Sequence, residues 1–162
     1  MPGSIAAAGV GGSSRAGSRP DRVIGKRHAD VLSRVPLFGG LPKRHLRKLA
    51  EQADEVTFGP GAHMVDAGDP GSAFFVIMAG EARVVRRGRT IGLLQPGDFF
   101  GEISLLDGGP RTASVIADTP VDAVRIFKKA FDRLLSEERG VASKILVVLA
   151  RRLRDAERPL HA

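Results

Sequence analysis

With 162 residues, 43% hydrophobic and 27% charged, the chain has the length and composition of one globular domain with its own core, and its apolar runs, such as Ala73 to Ala79, are far too short to span a bilayer. The absence of cysteine excludes disulfides and thiolate chemistry, and the start MPGSIAAAGVGG lacks the charged n-region and sustained apolar core of a signal peptide, so a cytoplasmic location is expected. A formal charge of +7 brings nucleic acid and acidic membrane surfaces into consideration, but the basic residues are scattered and Tyr and Trp are absent, so nucleic acid is not the expected partner.

Residues 1–27 are rich in Gly, Ser, Ala and Arg with almost no large apolar side chain, which predicts a flexible tail ahead of a folded domain over 28–162. From Asp30 the pattern DVLSRVPLF predicts a short helical turn stopped by Pro36. In PKRHLRKLAEQA, Pro42 suits a first helical turn, and Leu46, Leu49, Ala50 and Ala53 share one face. From Glu55 the rhythm changes to short runs with β character: EVTF, HMV, AFFVIMA, EARVV, TIGLL, SVIA and VDAVRIF. They are broken by GPG, AGDPG, RRGR, QPGD and DTP, as in a roll or barrel whose short strands turn tight corners. The stretch from Gly88 to Pro96 reads as a hairpin arm. After Phe127 the period is helical again: KKAFDRLL forms one helix, Ser136 is placed to cap a second, and Glu137 and Glu138 favour the positive end of its dipole. That last helix carries Val141, Ile145, Val148, Leu149 and Leu153 on one side and Lys144, Arg151, Arg154 and Asp155 on the other, until Pro159 stops it.

The chemistry concentrates in FGEISLLDGGPRTASV, residues 100–115. Gly101 permits close backbone approach, and the residues after it can form a helical turn whose first amides suit an anion. Arg111, nine positions beyond Glu102, supplies a guanidinium that can grip phosphate oxygens without a metal. A phosphate alone would repel Glu102, so the carboxylate is better matched to a sugar hydroxyl beside it. The competing reading of this pattern is a loop salt bridge between Glu102 and Arg111.

PGDFFGEISLLDGGPRTASV closely resembles the phosphate-binding cassette of cyclic nucleotide-binding domains, as in the bacterial cyclic AMP receptor protein and the regulatory subunits of protein kinase A. PLFGGLPKRHLRKLA and GDPGSAFFVIMAGEARVV resemble that family's helical lead and early strands, so the resemblance runs over about residues 30–157. It implies an α+β fold: an eight-stranded antiparallel β-roll (jelly roll) flanked by N-terminal helices and two C-terminal helices. It implies that Glu102 binds the ribose 2′-hydroxyl and Arg111 the cyclic phosphate. Gly101, Glu102 and Ile103 would form the turn that approaches the ligand, and Thr112 and Ala113 would complete the cradle. Leu105 and Leu106 match apolar residues that relay movement to the helices after the barrel, a role that simple core packing would equally explain. The ligand implied is cyclic AMP in preference to cyclic GMP, a choice Thr112 does not settle, with no further cofactor. Arg-rich, Lys-poor usage is that of a GC-rich bacterium.

The expected function is therefore a non-enzymatic sensor of a cyclic nucleotide that moves its C-terminal helices to regulate a protein effector. The base cap is missing from the final helix, which offers only Ser143 before its basic end, so an aliphatic cap or one from another molecule is expected. The apolar face of that helix leaves burial on the barrel and pairing with a second copy both open. Two other classes compete. A transcription regulator of the cyclic AMP receptor type would need a helix-turn-helix, for which His161 and Ala162 leave no room after RPL, so only a basic helix acting alone remains. A cupin-like metalloenzyme would need clustered ligands, whereas His28, His45, His63 and His161 are scattered and only His63 falls in the barrel region.

Overall fold

The computed structural model describes residues 21–157, side chains at 21–25 and 103 excepted. Helices α1 (Asp21–Ser33) and α2 (Lys43–Glu51) precede strands β1 (Asp54–Phe58), β2 (His63–Val65), β3 (Ala73–Ala79), β4 (Ala82–Arg86), β5 (Arg89–Leu94) and β6 (Phe99–Phe100). After helix α3 (Glu102–Asp107) come β7 (Ser114–Ala117), β8 (Val121–Phe127), α4 (Lys128–Glu137) and α5 (Arg139–Glu157). The strands form two four-stranded antiparallel sheets, ordered β1-β8-β3-β6 and β2-β7-β4-β5. This is the eight-stranded roll that the resemblance implied, with helices on the expected sides.

The unbroken apolar run of β3 follows from its two neighbours. Alternate side chains of a strand point to opposite faces. Phe74 and Val76 of β3, with Val124 and Ile126 of β8, join the helices in one core. Ala73, Phe75 and Ile77, with Val121 and Ala123, meet the second sheet in the other. A strand apolar in both phases is needed where both faces are covered. The helix-side core is centred on Phe38, whose ring meets Phe74 edge-on at 5.5 Å and Phe131 at 6.1 Å.

Four details differ from the sequence reading. Helix α1 starts at Asp21, inside the stretch predicted as tail, while residues 1–20 lie outside the description. The helix is held by residues inside the predicted domain: His28 is 2% exposed with Nε2 3.1 Å from Glu55 Oε1 on β1, Leu32 is fully buried, and so is Val35 just beyond the helix. Strand β6 is only two residues, Phe99 and Phe100 paired to Val76 and Phe75, too short to show an alternation. The hairpin arm is β4 and β5, joined through Arg87 and Gly88 at φ 52° and 77°, a left-handed pair suited to a two-residue hairpin, so it begins before Gly88. Lastly, Ser136 caps nothing: its hydroxyl donates back to the Arg133 carbonyl at 3.0 Å, and α4 continues through Glu137. The break falls at Glu138, with φ −123° and ψ 98°.

The position of that break has a cause in side-chain bonding. Glu138 is bound from α2 through both carboxylate oxygens, Oε1 at 2.6 Å from His45 Nε2 and Oε2 at 3.1 Å from Lys48 Nζ. These contacts hold its carboxyl below the usual range, the Lys48 bond contributing most and the His45 bond next. Beyond the break, Val141 and Ile145 of α5 are buried, and Val148 and Leu149 pack half-buried on the same core. The predicted apolar face is thus covered as far as Leu149 and exposed only at Leu153, while Leu146 and Val147, off that face, are exposed as well.

Candidate ligand-binding site

Gly101, at φ 94°, turns the chain from β6 into α3. A Cβ there would lie 2.6 Å from Arg111 Nη1 and 2.8 Å from the Ala73 carbonyl oxygen, so both backbone handedness and space demand glycine. Helix α3 closes at its far end through Gly108, at φ 72°, whose N–H donates to the Ser104 carbonyl at 2.7 Å. Asp107 Oδ1 accepts from the Gly109 N–H at 2.7 Å, which orients the GGP stretch toward Arg111. The Arg111 backbone is clamped by the preceding loop: its N–H donates to the Asp69 carbonyl and its carbonyl accepts from the Gly68 N–H, each at 2.8 Å. Gly71 in that loop lies so close to α3 that a Cβ would fall 2.0 Å from Ser104 Cβ.

Arg111 is thereby pressed into the protein at 8% exposure. Its Nη2 donates to the Ala73 carbonyl, while Nε and Nη1 are buried with no protein partner. Desolvation pulls its pKa below the ordinary arginine value, with the nearby Asp69 charge opposing. A guanidinium stays charged inside proteins, so unused buried donors call for an anionic acceptor. Glu102 opens α3, where a carboxylate suits the helix dipole. Its side chain is 13% exposed, and Oε2 accepts from Arg152 Nη2 at 2.6 Å. The loop salt bridge between Glu102 and Arg111 is thus not what the structure contains: each has another partner.

Of the predicted site residues, Gly101, Glu102 and Ile103 form the entry to α3, and Arg111, Thr112 and Ala113 lead into β7; Gly101 and Arg111 bring the two segments together. Thr112 is exposed and Ala113 half-buried. Leu105 is fully buried in the helix-side core, with Leu106 packed half-buried against it. The sequence reading missed Arg152. Its signal was the basic end of α5, which reads as a solvated face until the helix is placed against Glu102. His63 stands in β2 with Nδ1 2.6 Å from Asp66 Oδ1, and among the described residues no three His, Cys, Asp or Glu side chains cluster as metal ligands.

The family model of the cyclic nucleotide-binding domain matches residues 55–138, just over half of the chain and the whole of both segments. The chain belongs to the cyclic nucleotide-binding domain family. Relatives within reach of this domain include the cAMP-dependent protein kinase regulatory subunit of Neurospora crassa, 38% identical over 112 residues, which are 68% of this chain and 29% of that protein. The CRP-like cAMP-activated global transcriptional regulator of Mycobacterium tuberculosis is 33% identical over 130 residues, 77% of this chain and 58% of that one. Among solved structures, the N-terminal domain of a transcriptional regulator from Streptomyces coelicolor superposes with a TM-score of 0.72 at 33% identity, covering 78% of this chain and 94% of that domain. The family thus appears here as one module shared by fungal and bacterial regulators, and the chain spans less than two thirds of either curated relative. Among the described residues, no helix is long and apolar enough to cross a membrane.

Proposed function

We propose that this chain is a sensor of cyclic AMP that binds the nucleotide unaltered and reports it through its C-terminal helices to a protein effector. One observation carries the reading: Arg111 is a buried cation with two unspent donors, held behind Gly101 in the segment that also presents Glu102. A cyclic phosphate supplies the missing acceptors for Nε and Nη1. The ribose 2′-hydroxyl donates to Glu102, the backbone of Gly101, Glu102 and Ile103 closes on the ligand, and Thr112 and Ala113 complete the cradle. Cyclic AMP is preferred over cyclic GMP because cAMP stands in the names of the relatives. The domain that does this is placed over residues 28–162, and a cytoplasmic place suits it.

The output is assigned to α5. Arg152 on that helix holds one oxygen of Glu102, so a ribose hydroxyl arriving at the same carboxylate changes a contact on which the helix rests. The effector would read the exposed side of α5, where Leu146 and Leu153 stand 65% and 60% exposed seven residues apart. A second copy of the chain is one such reader. Action of α5 as a lone DNA-binding helix is favoured by no specific contact: Lys144 donates to the Gly40 carbonyl and Arg152 to Glu102, so two of its cations are spent within the chain.

Thermal unfolding with cyclic AMP, cyclic GMP and 5′-AMP tests the reading, since a ligand that binds only the folded state raises its stability with occupancy. Cyclic AMP is expected to raise the midpoint most and 5′-AMP least. No shift with either cyclic nucleotide up to millimolar concentration would refute it.

A further inference from the structure

We infer that Lys128 is the positioning residue that carries movement of the ligand cassette into the C-terminal helices, an inference that rests on the sensor reading above. A helix leaves its last four carbonyls without intrahelical partners. In α3 these belong to Ser104, Leu105, Leu106 and Asp107. Ser104 is served by the Gly108 N–H, whereas Leu105 and Leu106 are served by a side chain from another element: Lys128 Nζ lies 2.9 Å from the Leu105 carbonyl oxygen and 3.5 Å from that of Leu106. An ammonium at a helix C-terminus is favoured by the dipole as well as by the bonds.

The same ammonium has a third partner on the output side, the Asp132 carboxylate one turn along α4 at 3.2 Å. Lys128 is also the first residue of α4, and its backbone N–H donates to the Ser72 carbonyl at 2.8 Å, next to the Gly71 that abuts Ser104. Its stem lies along the turn after α3, where a Cβ on Gly108 would stand 3.4 Å from Lys128 Cε. One side chain therefore ties the closing end of the cassette helix to the opening turn of α4. Leu105, buried in the helix-side core, transmits pressure between the same elements, but apolar packing has no preferred direction. Directional, charge-assisted bonds do. A shift of α3 around a phosphate at its far end must drag the start of α4 or break these bonds.

Hydrogen exchange on the full chain, wild type and K128M, with and without cyclic AMP, tests this. In ligand-free K128M, exchange in the last turn of α3 and the first turn of α4 rises together, by about tenfold, the lower range for loss of a charge-assisted bond. With cyclic AMP, wild type gains protection in both turns, while K128M gains it in α3 and loses most of it in α4. K128R, which keeps charged donors, restores the α4 response. Should K128M fail to fold, K128A, which also removes the ammonium and favours helix, takes its place with the same expectation. An α4 response of wild-type size in K128M, or in K128A, overturns the inference. If the wild type itself ignores cyclic AMP, the sensor reading fails separately, and the ligand-free comparison alone decides: joint loosening supports Lys128 as the link, and unchanged exchange in α4 overturns it.

Discussion

Replacing Arg111 by Met removes the guanidinium and keeps the stem, and its two consequences should differ in size. In the ligand-free protein, the Ala73 carbonyl loses its donor, which costs about 1–3 kcal/mol for a buried unsatisfied group. Against this, a cation with two unpaired buried donors is removed, and the desolvation of an ion inside a protein costs several kcal/mol. The two offset, so ligand-free stability should change by less than about 2 kcal/mol and can rise. Binding has no such offset. Two charge-assisted bonds from Nε and Nη1 contribute about 3–6 kcal/mol together, so affinity for cyclic AMP should fall by about two to four powers of ten. Calorimetric titration and thermal unfolding on the same preparation measure both quantities. Affinity within threefold of wild type, or a ligand-free loss as large as a core truncation, would refute the assignment, because Arg111 would then be serving the fold.

Three further outcomes are expected. Gly101→Ala forces a left-handed backbone on an alanine and a Cβ against Arg111 and Ala73, so unfolding should come about 1–3 kcal/mol earlier and cyclic AMP binding should be lost with it; calorimetry of both checks this. Arg152→Ala breaks a partly exposed pair, so stability should move by less than about 1 kcal/mol while amide exchange in the distal half of α5 accelerates. Glu138→Gln tests the break between α4 and α5. A carboxyl whose folded pKa is depressed contributes stability above its unfolded pKa and loses it as pH falls through the folded one. The variant should therefore unfold earlier than wild type at pH 7, and the gap should shrink as pH falls through and below the usual carboxylate range; a gap that does not shrink on acidification would contradict this.

The roll was legible because its strands are short, apolar and punctuated by Gly and Pro, and the cassette because Gly101, Glu102 and Arg111 sit within twelve residues of one another in the chain. What escaped were features defined by partners far away in sequence. Arg152 meets Glu102 across 50 residues, and Glu138 meets His45 across 93, which is why Ser136 looked like the better helix boundary. A cap is a local signal and a distant ion pair is not. The start of helix α1 was hidden for the same reason: the helix is held farther along, by His28 reaching Glu55 across 27 residues and by Leu32 in the helix-side core, not through the weakly apolar sequence of its first turns.

Strands β3 and β8 form a partition between two cores that have different tasks. The roll side lies behind the loops proposed to hold the ligand, and the helix side seats the helices proposed to move. Neither face can yield without disturbing the other, since Phe74 and Phe75 point opposite ways from adjacent positions in one strand. The partition therefore acts as a fixed bulkhead, and the carbonyl at its edge, Ala73, is the stop against which the Arg111 head rests. Motion in such a molecule has to travel around the rim, through α3 and the start of α4. Substitutions deep in the bulkhead should then alter how firmly the domain stands far more than how it signals.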